Sequence, residues 1–245
     1  MIITLALALL IQETPEEILK ALAETDTVAR GEAIDKIVAK GRTAIPSLRK
    51  AVEKADGDAR KAALGVIDRI GSAEVVALLK KEGHTELSDL KVVTGEALTK
   101  VAPHARLSLL PGNAACKACG SVQRILVLND LADDKGAPRL VKSSDDVALL
   151  FPGAAATEDG RRATAAAAFY VLRALHPKAH TKELVPTDNE AFADPKLLVF
   201  KKTDAGTSAT AEFKIDHAYY HATMEFDSEG VLKKIVLVDT GKRCL

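Results

Sequence analysis

Residues 26–50, DTVARGEAIDKIVAKGRTAIPSLRK, align without a gap on residues 56–80, DGDARKAALGVIDRIGSAEVVALLK. Asp26 falls on Asp56, Ala29-Arg30 on Ala59-Arg60, Ala33 on Ala63, Ile34 on Leu64, Ile37 on Ile67 and Gly41 on Gly71. The second half follows with Ile45 on Val75, Leu48 on Leu78 and Lys50 on Lys80. Within each copy the apolar positions recur every three to four residues, the spacing of one helix face. Gly41 and Gly71 stand where each first helix should end, since glycine takes positive φ without steric cost. Second helices are expected over 43–54 and 72–82, the former with Pro46 in its opening turn. A helix pair this small cannot bury its apolar face alone, so stacking of the copies is implied.

Ahead of the repeat, Thr14-Pro15-Glu16-Glu17 has the form of a helix start, with a hydroxyl cap, proline at the first position and acids in the first turn. Residues 15–24 form the second helix of a partial leading copy, because Ile18 and Lys20 lie thirty before Leu48 and Lys50. Asp26/Asp56, Ala29-Arg30/Ala59-Arg60, Ala33/Ala63, Ile37/Ile67 and Gly41/Gly71 together resemble HEAT-like repeats of the short, phycobilisome-lyase type, over residues 15–84. The resemblance implies a binding surface for another protein, with Asp26, Arg30, Asp56 and Arg60 as a ladder between adjacent repeats. Lyase activity does not carry over, since nothing in the repeat is catalytic. The period matches poorly beyond Gly83, and residues 86–102 are expected to form one further helix.

Composition narrows the partners. The 34 basic and 34 acidic side chains cancel, and the balance is local: residues 13–102 hold 15 Lys/Arg against 16 Asp/Glu, leaving 19 against 18 in the remainder. No region carries the positive field that binding a phosphate backbone requires, so nucleic acid is not an expected partner. Residues 1–12 open with MIITLALALLI, too short to span a bilayer but matching the apolar core of a secretory signal. Export to a periplasmic or extracellular compartment is the expectation, and such a compartment permits disulfides.

After Pro103 the pattern changes. Residues 122–129 and 139–142 are strand-like, and Ser143 with Asp146 is a capping-box opening for a short helix. A long alanine-rich helix is expected over 158–175, and strands over 182–186, 196–203, 208–216, 219–227 and 230–239. Asp227-Ser228-Glu229-Gly230 supplies a hairpin turn. The fold class is therefore α plus α+β: a short α-solenoid over 13–102, then an α+β domain over 103–245 with its long helix packed on an antiparallel sheet. The order of elements in this second domain is similar to that of cystatin and NTF2-like proteins, which by itself says little about function.

Three clusters bear on chemistry. Cys116-Lys117-Ala118-Cys119 and Cys244 are the only cysteines. A Cys116–Cys119 bond would close a tiny loop and add little stability, whereas a bond from either to Cys244 would close well over 100 residues, worth up to roughly 4–5 kcal/mol in the chain-entropy model. Zinc held by Cys116, Cys119, Cys244 and His104 is an alternative, and thiol redox chemistry a third. His217, Tyr219 and His221 occupy alternate positions of a strand run and form the candidate lining of a small-ligand or enzymatic pocket beneath the long helix. No Ser-His-Asp order, phosphate loop or metalloprotease helix is present, so no catalytic residue is assigned and no cofactor is expected. The leading expectation is a non-enzymatic protein-interaction or scaffold protein.

Overall fold

The structure, a computed structural model, describes residues 14–93, 96–111, 124–175, 199–215 and 218–243. Two compact units divide the chain. The first comprises the residues up to Ala77 together with Leu131–Ala137, and the second comprises Leu78–Asp130 and Pro138–Leu245.

The first unit is helical. Helix α1, Pro15–Leu22, opens on the expected Thr14: its hydroxyl accepts from the Glu17 N–H at 3.2 Å, and the Glu17 carboxylate accepts from the Thr14 N–H at 2.8 Å. Helix α2, Thr27–Ala39, is capped by the Asp26 carboxylate, which accepts from the N–H groups of Val28 at 2.8 Å and Ala29 at 3.2 Å. Gly41, at φ +59°, ends α2 and begins a 3-10 turn over Gly41–Ala44. Helix α3, Ile45–Lys54, follows with Pro46 in its first turn.

The second copy of the repeat behaves differently. Helix α4 runs unbroken from Gly57 to Lys81, and Gly71 lies inside it without positive φ. The aligned sequences supply the reason. Pro46 has no N–H and cannot sit in a helix interior, so a new helix must start there. Its counterpart is Val76, which imposes no such start, and the helix propagates through. The expected helix break at Gly71 is therefore absent.

The core of this unit joins Ile18 and Leu22 of α1, Ile37 of α2, Ile45, Leu48 and Val52 of α3, and Ala63, Val66, Ile67 and Ile70 of α4. Leu131, far along the chain, is fully buried in the same cluster. Its backbone is held as well: the Leu131 carbonyl accepts from Arg49 Nε at 3.0 Å and Nη2 at 2.7 Å. Arg42 reaches the Asp133 carbonyl at 3.4 Å while gripping both Glu74 oxygens, at 3.0 and 2.7 Å.

Among the described residues the second unit holds two four-stranded antiparallel sheets rather than the single sheet expected, and the strand expected over 182–186 lies outside the described residues. The first contains β1 (Lys91–Val93), β2 (Ala105–Pro111), β3 (Arg124–Asp130) and β4 (Arg139–Val141), in that order. The helix expected over 86–102 is replaced by β1 and a short helix α5, Glu96–Val101. The β-branched Val92-Val93 suits a strand, and pairing of Lys91 with Leu109 and Val93 with Leu107 gives it an edge position. Leu107, Leu109, Leu126, Leu128 and Val141 turn one face into the core of the unit. Ser108, Leu110, Val127 and Asn129, in the alternate positions, are buried too.

The second sheet is the meander β5 (Val199–Thr203), β6 (Gly206–Ile215), β7 (Ala218–Asp227) and β8 (Leu232–Arg243). The Asp227 hairpin forms as the sequence predicts: its carboxylate accepts from Glu229 N–H at 3.0 Å and Val231 N–H at 2.9 Å. Gly230 sits at φ +87°, and its carbonyl accepts from Ala155 N–H at 3.0 Å.

Between β4 and β5 come helices α6 (Ser144–Ala148) and α7 (Glu158–Leu175). The capping box of Ser143 and Asp146 is present. Helix α7 was expected to lie across one sheet with its bulk on one side, but Thr164 to Leu172 are buried without interruption. A helix apolar all round is a core helix, and the four alanines Ala165–Ala168 let its neighbours approach on every side. It packs with α5, α6 and β3. Farther out, Arg162 pairs with Glu158 at 2.6 Å and stacks over the Phe200 ring, 4.7 Å from its centroid.

Candidate functional site

The sequence points first to β7. Along this strand Ala222, Met224 and Phe226 are buried in the core, so His221 belongs to the alternate, opposite row. It is half-buried, and the pairing register sets it between Glu212 of β6 and Val238 of β8. His217 and the side chain of Tyr219 lie outside the described residues. Ala165, Ala167, Ala168, Phe169, Val171 and Leu172 of α7 belong to one cluster of buried apolar residues with Ala222, Met224 and Phe226 of β7, and His221 is not a member of it.

Cys116, Cys119 and Cys244 also lie outside the described residues, and with them the disulfide, zinc and redox alternatives. His104 is half-buried immediately before β2. Among the described residues no group of three His, Cys, Asp or Glu side chains is placed to hold a metal ion. None of their helices is long and apolar enough to cross a membrane.

Among the described residues, Asp26 and Asp56 of the repeat lie at helix starts. Asp26 caps α2, and Asp56 precedes Gly57, the first residue of α4, with its carbonyl accepting from the Arg60 N–H at 3.2 Å. Ion pairs that join separate elements here include Arg69 to Asp35 at 2.7 Å, Arg42 to Glu74 at 2.7 Å, and Lys54 to Glu16 at 2.5 Å. Neither Arg30 nor Arg60 takes part in them.

Among the described residues the helical unit carries a groove of about 600 Å³ along α1 and α2. Ala21 of α1 and Ala29, Ala33 and Ile37 of α2 line it, with Glu17, Glu32, Lys36 and Lys40 as its charged members. Local structure explains the shape. Ala29, Ala33 and Ile37 are four apart and share a helix face, and their side chains grow from methyl to sec-butyl along it, leaving space at the N-terminal end. Ile37 is buried, Ala33 half-buried and Ala29 exposed. At the other end the Glu17 carboxyl lies below its ordinary pKa, chiefly because it accepts hydrogen bonds from the Thr14 N–H and hydroxyl, with the positive charge of Lys40 assisting. Glu17 is therefore a fixed anion of the rim at neutral pH. The groove holds no nucleophile paired with a base, so its chemistry is that of a binding surface. The sequence marks Ala29, Ala33 and Ile37 through the repeat but not the charged residues. The available signal was Glu32 and Lys36, which flank Ala33 on the same helix at a spacing of four.

The chain matches no protein-family model, no curated protein and no solved structure.

Proposed function

We propose that this chain is a non-catalytic protein-interaction scaffold, exported from the cell, whose HEAT-like helical head carries the binding face. The single observation that supports this reading is the α1–α2 groove, with an alanine and isoleucine floor and both signs of charge on its rim. Apolar floors with a polar rim are the usual build of a protein-binding surface. The groove is open rather than enclosed, unlike the enclosed sites that surround a small molecule on most sides. The position of His221, in the row opposite the buried Ala222 and Met224, lends no support to a ligand pocket under α7.

The test is a photo-crosslinking residue at Ala29 in the natively produced protein, with one at Val238 as the comparison. Discrete protein adducts are expected from Ala29 and not from Val238, and Ala33→Arg, which fills the groove, is expected to remove them. Adducts that survive Ala33→Arg would withdraw the support the groove gives. Intact-mass analysis of the exported protein tests the other half of the reading. Removal of the apolar segment before Glu13 is expected, and a chain still beginning at Met1 inside the cell would refute export.

A further inference from the structure

The thirty-residue alignment places one small-residue stripe in two settings. In the second copy Ala63 and Ile67 are both fully buried, packed with residues of α1, α2 and α3. In the first copy Ile37 is buried, but Ala33 is only half-buried and Ala29 is exposed, and these three line the groove. Ala59 is half-buried, so among the described residues each alanine of the stripe is more covered on α4 than its counterpart on α2. Small residues at every fourth position permit the close backbone approach that ridge-into-groove helix packing needs. From Ala29 to Lys40 the open face runs about 16 Å, three turns of helix.

Charge adds direction. Glu32 and Lys36 stand four apart beside Ala33, at a spacing suited to pairing with each other. They do not pair, and neither makes a hydrogen bond or ion pair among the described residues. An acid and a base one turn apart, both open, are complementary to a base and an acid one turn apart on an opposing helix.

We infer that the α1–α2 groove receives a single amphipathic helix of a partner protein, with small and apolar residues facing Ala29, Ala33 and Ile37 and a basic and an acidic residue set one turn apart to meet Glu32 and Lys36. The inference rests on the protein-binding reading of the same groove and specifies the form of the occupant. It takes the place that a preceding helix of the array would fill.

The probe is a set of sixteen-residue peptides selected from a random display library against the full chain. Peptides are kept when both Ala33→Arg and Ala29→Arg abolish their binding, these variants having first been shown by circular dichroism to keep the parent helicity and melting temperature. The kept peptides are expected to gain helical signal at 222 nm on binding and to weaken at least about tenfold when a central residue is replaced by proline. The doubly reversed variant Glu32→Lys with Lys36→Glu is expected to prefer, by about tenfold, peptides with their base and acid exchanged. Groove-dependent peptides that bind without gaining helix, or that ignore the charge exchange, would overturn the helix assignment while leaving the groove a binding face. A library that yields no peptide dependent on Ala29 and Ala33 would overturn both.

Discussion

Replacing Leu131 by alanine tests whether a residue between two strands belongs to the core of the helical unit. Leu131 is fully buried among Ile18, Ile37, Leu48 and their neighbours. The substitution removes three carbon atoms, and their transfer to water accounts for about 2.4 kcal/mol at roughly 0.8 kcal/mol per carbon. The void left behind adds to this. The Leu131 carbonyl is held by two hydrogen bonds from Arg49, so the segment is not free to settle into the cavity. A total destabilisation of about 3.5 kcal/mol follows, within the usual span for buried Leu→Ala changes. The chain has no tryptophan, so urea unfolding is best followed by helical circular dichroism at 222 nm. With a slope of about 2 kcal/mol per molar, the midpoint should fall by roughly 1.7 M. Arg49→Met should lower it by a smaller amount, about 1–3 kcal/mol in free energy, through the carbonyl left without its donors. A Leu131→Ala midpoint within about 0.2 M of the parent would refute the assignment of this segment to the helical core.

Gly230→Ala should destabilise the protein by about 2 kcal/mol or more, measured as a lowered melting temperature. The residue stands at φ +87°, and an added Cβ would lie 2.3 Å from the Ala155 carbonyl oxygen. A double-mutant cycle on Arg42 and Glu74, whose side chains are only 12% and 20% exposed, should return a coupling of about 1–3 kcal/mol. The same cycle on the exposed pair Lys61 and Asp58 should return no resolvable coupling. The Asp146 carboxyl gives a pH signature. Burial alone would raise its pKa, but hydrogen bonds from the N–H groups of Lys142 and Ser143 and from the Ser143 hydroxyl outweigh this and hold it below 3.8. Its contribution is therefore complete above the unfolded value, near pH 4, and disappears as pH falls through the lower folded value. Amide exchange in α6 should accelerate as pH is lowered below about 4, after correction for the intrinsic rate, and Asp146→Asn should remove that dependence.

Much of the second unit could be read from local pattern. The strand-like run that becomes Arg124–Asp130, the alternation of 219–227, the Ser143–Asp146 box and the Asp227–Gly230 turn each encode a short-range geometry, and each forms. Helix α7 was placed correctly, because Thr157 and Pro177 bracket it in sequence. The unbroken burial from Thr164 to Leu172 was not legible. Alanine is tolerated on either face of a helix, and only the neighbours reveal that all faces are covered. Local reading failed where long-range pairing decides. Lys91–Val93 becomes a strand through β2, and nothing in the segment from Leu131 to Ala137 announces that its leucine is core. Inside the repeat, sequence identity concealed one consequential difference, Pro46 against Val76, which separates a helix pair from one long helix. Of the candidate groove, the repeat exposed the floor through Ala29, Ala33 and Ile37. The rim was hidden because a charged residue on a helix is ordinarily only a solvated one.

The place of Leu131 has a consequence in time. The helical unit ends its main run at Ala77, yet its core is completed by a residue that follows 54 positions later. At about 5–20 residues per second, the ribosome delivers that residue roughly 3–11 s after Ala77. During that interval Ile18, Leu48 and Ile67 have been synthesised without the leucine that closes over them. The front of the chain must therefore wait for its middle, with apolar surface still exposed, and this interval is where a chaperone that holds nascent chains would act most strongly. Joining residues 131–137 directly behind α4 would end the wait, and a nascent helical unit so rearranged should resist protease earlier in its synthesis than the natural order allows.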